Sequence, residues 1–163
     1  QYAWFNGAGF LAWENIFGVW NGLTPRGSEV IYRMGLIYRT LGEFFASADW
    51  EPHSPTVLQG VFASRFPLQN SEVWTLVNRT PVDKNGVQLR LLGQKKKYFD
   101  LWTGQELIAK PVGSKIELRF LIEKYGYGAI LAIPAENVRA LVTGRIGRTD
   151  LPECDERGEG DNQ

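Results

Sequence analysis

One amphipathic helix standing ahead of six or seven short alternating segments limits this chain more than anything else in its sequence. After Thr24, apolar residues recur at Val30, Met34, Ile37, Leu41 and Phe44 or Phe45, spacings of three and four that draw a single stripe along a helix. Thr24 is suited to cap the helix and Pro25 to its first position, with Glu29 near the positive end of the dipole. A stripe of that width has to be covered. Gly35 and Gly42 lower helix propensity by about 1 kcal/mol each relative to Ala, which suggests that another backbone comes close there. The helix gives out near Ala46 to Asp49, and Trp50 to Pro55 reads as a linker held extended by Pro52 and Pro55.

Beyond the linker the pattern changes to a period of two. Ile116, Leu118, Phe120 and Ile122 alternate with Glu117, Arg119 and Leu121, a strand with one buried face. Further strands are expected at Glu72 to Asn78, Val87 to Leu92, Tyr98 to Trp102, Glu106 to Ala109, Ala129 to Ile133 and Val57 to Phe62, with Asp83 to Gly86 as a turn. Short strands at intervals of about 8–12 residues suggest a small antiparallel β-sandwich. Trp74 and Trp102 are expected to fill its core, and Lys95 to Lys97 to form a solvated loop. From Gly144 onward the chain is charged and Gly-rich with few large apolar residues, so a loose tail is expected over 143–163.

Composition excludes several functions. The 163 residues are 44% hydrophobic and 22% charged, enough for a buried core, and the formal net charge is +0. A neutral chain carries no broad electrostatic footprint for nucleic acid or an anionic membrane, and no apolar run approaches the length of a bilayer span. One cysteine, Cys154, and one histidine, His53, are too few for a protein-only zinc site, so neither a metal nor another cofactor is expected. His53 reads as a linker residue, no serine sits in a Gly-x-Ser-x-Gly context, and Gly7 with Gly9 makes only a Gly-x-Gly.

The chain opens at Gln1 without a Met, directly into the run Tyr2, Ala3, Trp4, Phe5, Asn6, Gly7, Ala8, Gly9, Phe10, Leu11, Ala12, Trp13, Glu14, Asn15, and reads as a piece of a larger protein. The order of aromatic Trp-Glu-Asn segment, helix, linker and sandwich resembles the C-terminal end of bacterial glycoside hydrolases, in which a (β/α)8 barrel precedes an antiparallel domain. Tyr98, Phe99, Asp100, Leu101, Trp102, Thr103, Gly104 and Gln105 look like a segment of such accessory domains, and Gly126 to Ile130 look like their closing strand. The chain is also similar to multidomain proteins in which such a part precedes a formylglycine-generating or sulfatase-modifying domain.

The resemblance implies an α+β fragment: the terminal strand, loop and helix of a truncated barrel over 1–50, a β-sandwich over 57–134 and the tail. It implies a carbohydrate substrate, and the missing upstream barrel residues, as partners of the parent protein. Barrel active sites lie at the C-terminal ends of strands, which makes Glu14 the candidate catalytic carboxylate. Trp4, Trp13 and Trp20 are then candidate sugar platforms, with Asn6 and Asn15 as hydroxyl partners. Glu14 can equally be a substrate-binding or surface carboxylate, and Trp4 a core residue. With only one of two carboxylates visible, the piece is expected to be inactive alone. The alternatives are a carbohydrate-binding module carried by Trp74, Trp102 and Tyr98, an interdomain packing module, or a scaffold part of a formylglycine-generating or sulfatase-modifying multidomain protein. A secreted and a periplasmic parent both stay open.

Overall fold

The computed structural model describes residues 1–9, 22–93 and 95–138, and the backbone of 15–16 and 19–20. The chain runs through a short helix α1 (Tyr2–Phe5), a small antiparallel pair β1 (Asn15–Ile16) and β2 (Val19–Trp20), and the long helix α2 (Pro25–Phe45). Nine strands follow: β3 (Glu51–Ser54), β4 (Val61–Leu68), β5 (Ser71–Asn78), β6 (Lys84–Leu92), β7 (Lys96–Asp100), β8 (Gln105–Leu107), β9 (Lys110–Val112), β10 (Lys115–Ile122) and β11 (Tyr127–Pro134). A single 3-10 turn, Ala135–Asn137, ends the described chain.

These strands form two sheets packed face to face. The larger has the order β3-β4-β5-β11-β7-β8 and the smaller β6-β10-β9, and every pairing is antiparallel. Between them lies one apolar layer, to which the large sheet gives Val61, Ala63, Trp74, Leu76, Tyr98, Ile130 and Ala132. The small sheet meets it with Leu89, Ile116, Leu118, Phe120 and Ile122, the last four being the alternating residues of β10.

The other face of the large sheet is covered by the two helices. Met34, Ile37, Leu41 and Phe44 of α2 and Trp4 and Phe5 of α1 close over Phe66, Val73, Val77, Ala129, Leu131 and Ile133. The molecule is therefore three layers: helices, large sheet, small sheet. Strands β5 and β11 lie at the middle of this stack with both faces dry, which is why almost every residue of each is buried.

The helix forms as its sequence dictates. Thr24 accepts a hydrogen bond from the Gly27 amide at 3.0 Å, Pro25 occupies the first turn, and the stripe from Met34 to Phe44 is buried. Near its end Leu41 leaves helical geometry (φ −120°, ψ 26°), and the axis kinks there. Gly35 and Gly42 do not mark a close backbone approach, because a Cβ at either would meet nothing within 4 Å.

Several expectations need correcting. Tyr2–Phe5 is one turn of helix instead of a barrel strand, and β1 and β2 pair antiparallel, so the described residues hold no parallel pair of the barrel kind. Trp4 and Phe5 are adjacent and both buried, which a strand with one covered face does not allow and a helical turn does. Asp83 to Gly86 is not a hairpin turn, since β6 begins at Lys84 and lies in the other sheet from β5. The chain changes sheets at Arg79 to Asp83, a corner built on Asn78. Its amide donates to the carbonyls of Val82 (2.8 Å) and Glu123 (2.9 Å), and its Oδ1 accepts from the Thr80 amide at 3.0 Å.

The linker is also structured, with Glu51–Ser54 pairing with β4 as an edge strand, where its one proline, Pro52, is tolerated. Lys96 and Lys97 belong to β7, where Lys96 Nζ donates to Glu72 at 2.9 Å and Glu72 also holds Arg65. The tail expected over 143–163 lies outside the described residues.

Candidate ligand cleft

At one end of the stack the three layers part around a cleft of about 480 Å³. The first turns of α2 supply Arg26, Glu29 and Arg33, the β7 to β8 turn supplies Asp100 and Trp102, and the end of β10 with the start of β11 supplies Arg119 and Tyr127. That volume lies within the range of small-molecule sites.

Asp100 organises one wall. Its Oδ1 accepts from the Trp102 amide at 2.9 Å and the Thr103 amide at 3.4 Å, while Oδ2 accepts from Thr103 Oγ1 at 2.8 Å. The turn closes when the Gly104 amide donates to the Asp100 carbonyl at 2.8 Å, with Gly104 at φ +75°. At 5% exposure, the carboxylate is committed to holding Trp102 in place.

Trp102 is pinned from several sides. Tyr127 stacks on it at 5.6 Å with 26° between planes, Trp4 tilts against it at 5.7 Å, and the Arg33 guanidinium lies 5.7 Å from its centroid. Arg33 Nη1 also donates to the Trp102 carbonyl at 2.6 Å, and its Nε to Glu29 at 2.6 Å. Arg26 Nη2 donates to the Lys124 carbonyl at 2.9 Å and sits 3.6 Å from Glu123. Arg119 alone among these guanidiniums makes no ion pair or hydrogen bond among the described residues, and its side chain is exposed.

The sequence-derived site residues do not meet in this cleft. Trp4 is 1% exposed, its indole nitrogen donating to the Gly128 carbonyl at 3.1 Å, so it is a core residue with no free face for a sugar. Asn6 caps α1 and lines a separate hollow of about 360 Å³ with Tyr2, His53, Phe62 and Arg79. The linker residue His53 adopts φ 56° there, its ring 5.0 Å from Phe5. Trp13 and Glu14 lie outside the described residues, as do the side chains of Asn15 and Trp20.

Two of the three aromatics named for the carbohydrate-binding alternative are buried between the sheets. Trp74 (1% exposed) and Tyr98 (3%) fill the layer between the sheets, whereas Trp102 is partly exposed and lines the cleft with Tyr127 stacked on it. Burial raises the Tyr98 pKa, with the Glu72 charge adding to the effect. The arginines of the cleft were not singled out in the sequence, since residues near 26–33, 100–107 and 119–127 meet only through the sheet-switching topology.

No protein-family model matches the chain, and no curated protein matches it. Among solved structures it is similar to an alpha-amylase from Anoxybacillus, assigned to a new glycosyl hydrolase subclass, at 13% identity and a TM-score of 0.49 over 68% of this chain and 23% of that one. It is similar also to Xyn30A of Clostridium acetobutylicum, a glycoside hydrolase family 30 subfamily 8 xylanase, at 12% identity and a TM-score of 0.36 over 62% of this chain and 28% of that one. The chain thus spans about a quarter of the length of each. At these scores the likeness carries no further argument.

Proposed function

We propose that the chain is a non-catalytic accessory part of a carbohydrate-active enzyme, acting as a packing module that fixes a helical segment to a two-sheet sandwich. The carbohydrate-active half of this reading rests on the resemblance of Tyr98 to Gln105 and Gly126 to Ile130 to accessory-domain segments. The first of these forms β7 with its Asp100 turn, and the second leads β11 into the middle of the large sheet. Its partner in this reading is a catalytic barrel, and the sugar substrate belongs to that barrel.

The packing half is supported by one observation, the core shared by α1, α2 and the large sheet. Met34, Ile37, Leu41 and Phe44 share one buried cluster with Phe66, Val73, Leu131 and Ile133, which supports helix and sheet folding as one unit. The non-catalytic half is supported by the state of the carboxylates that line the cleft. Glu29 and Glu123 pair with arginines and Asp100 is bound into its own turn, so the three are engaged in holding the cleft's shape and are not set as a pair across a scissile bond.

The test removes residues 1–46 and follows thermal unfolding. Loss of the cooperative transition is the expected result, and a shortened chain that melts cooperatively at an unchanged temperature would sink the packing reading. The full chain is expected to leave aryl glycosides intact, and hydrolysis abolished by Glu14→Gln would overturn the non-catalytic assignment.

A further inference from the structure

We propose that the cleft between the start of α2 and the end of β10 binds a small ring compound carrying a single carboxylate. This inference rests on the cleft's own geometry and stands apart from the packing role above.

Three guanidiniums border the cleft, and two of them have protein partners. Arg33 is fixed by the Trp102 carbonyl and Glu29, Arg26 by the Lys124 carbonyl and Glu123. Neither arrangement uses all five N–H donors of its guanidinium. Arg119 has every donor free of protein partners among the described residues. Of the acceptors that could answer it, Asp100 already receives three hydrogen bonds within its own turn. Glu29, Asp100 and Glu123 balance the three arginines in formal charge, so what the cleft leaves unmet is the set of Arg119 donors, and one carboxylate matches their planar fork in shape and local charge.

The rest of the cleft selects what carries that carboxylate. Tyr127 and the half-exposed Leu121 give apolar surface beside the arginines, and about 480 Å³ accommodates a six-membered ring with substituents. Thr103 and Gln105 add hydroxyl and amide groups at the rim, suited to a polyhydroxylated ring.

The experiment titrates the full chain with D-glucuronate, using D-glucose as the neutral ring and acetate as the bare carboxylate, and follows backbone amide signals by NMR. Glucuronate is expected to move the signals of Trp102, Thr103 and Arg119 saturably and more strongly than either control. Arg119→Ala is expected to weaken binding by about tenfold or more, the scale of one charge-assisted hydrogen-bonded contact. Arg39→Ala, an exposed arginine on α2 outside the cleft, is expected to change it less than about twofold, within the range of ordinary surface substitutions. The proposal is overturned if glucuronate leaves the cleft signals unmoved, if glucose or acetate binds as well, or if Arg119→Ala binds as the unaltered chain does.

Discussion

Arg33 and Trp102 are 69 positions apart in sequence, yet the Arg33 guanidinium sits 5.7 Å from the Trp102 ring centroid and donates to its carbonyl at 2.6 Å. This contact ties the helical layer to the edge of the large sheet at the mouth of the cleft. Both its partners are partly wet, so the contribution is modest: about 0.5–1 kcal/mol for an exposed cation-π contact, with the Glu29 ion pair adding less than about 1 kcal/mol. Arg33→Ala is expected to lower stability by about 1–2 kcal/mol in urea unfolding. Arg33→Lys is expected to recover less than half, because an ammonium cannot both lie flat on the ring and keep the fork to the carbonyl.

Two glycines should respond in opposite directions. At Gly35 a Cβ meets open space within a regular stretch of α2, so Gly35→Ala is expected to stabilise by about 0.5–1 kcal/mol. At Gly7 the backbone is left-handed (φ +64°) and a Cβ would lie 2.7 Å from the Phe66 ring. Gly7→Ala is therefore expected to destabilise by more than 1 kcal/mol, on the order of the cost of a strained backbone plus a clash. Denaturation midpoints of the two variants check both signs.

The helix cap gives a smaller effect. Thr24 Oγ1 is the side-chain acceptor for the Gly27 amide at 3.0 Å, and Thr24→Ala is expected to cost about 1 kcal/mol. Thr24→Ser, which keeps the acceptor, is expected to stay within about 0.5 kcal/mol of the original by the same measurement.

The sequence was most readable where one local rule decided the structure. Thr24, Pro25 and the apolar spacing define α2, and the alternation from Ile116 to Ile122 defines β10, because in each a single face is buried. Tyr2 to Phe5, three aromatics and an alanine, is too short to carry a period, and what makes it helical is the fit of Trp4 and Phe5 onto the sheet. The glycine at position 86 suggested a turn, but it lies extended inside β6, buried near Leu58. The hairpin reading missed a change of sheet fixed by the long-range contacts of Asn78. The cleft was illegible for a related reason. Its arginines have no local signature, and only the packing of three layers brings them to one place.

Trp4 tests how far α1 belongs to the core. It is fully buried against Tyr38, Phe45 and Trp102, and its Nε1 donates to the Gly128 carbonyl of β11. Trp4→Ala is expected to cost about 3–5 kcal/mol through lost burial and a cavity. Trp4→Phe keeps most of the apolar contact but leaves the Gly128 carbonyl unanswered, and is expected to cost about 1–3 kcal/mol. A change below 1 kcal/mol for Trp4→Ala would mean that the helix is not seated on the sheet.

Alkaline pH offers a separate readout of the same layer. Burial of the Tyr38 side chain on α2, against Trp4 and Phe45, pushes its phenol up to about 12 from its usual 10, since the phenolate would lose its hydration. Below pH 10 the phenol is neutral in both folded and unfolded chains, so the stability linked to this shift is fully present. Between pH 10 and about 12 the unfolded chain releases the proton while the folded one retains it, and stability falls as pH rises. Tyr98, also raised by burial and by Glu72, contributes with the same sign. Unfolding free energies measured across this window are expected to decline less steeply in Tyr38→Phe than in the original chain, by up to about one proton in the slope. Tyr38 reaches the carbonyls of Ala3 and Ala8 only at 3.5 and 3.3 Å, so the same variant is expected to lose little stability at neutral pH. Parallel curves for the two proteins between pH 10 and 12 would show that the Tyr38 ring is open to water and that α1 does not pack over it.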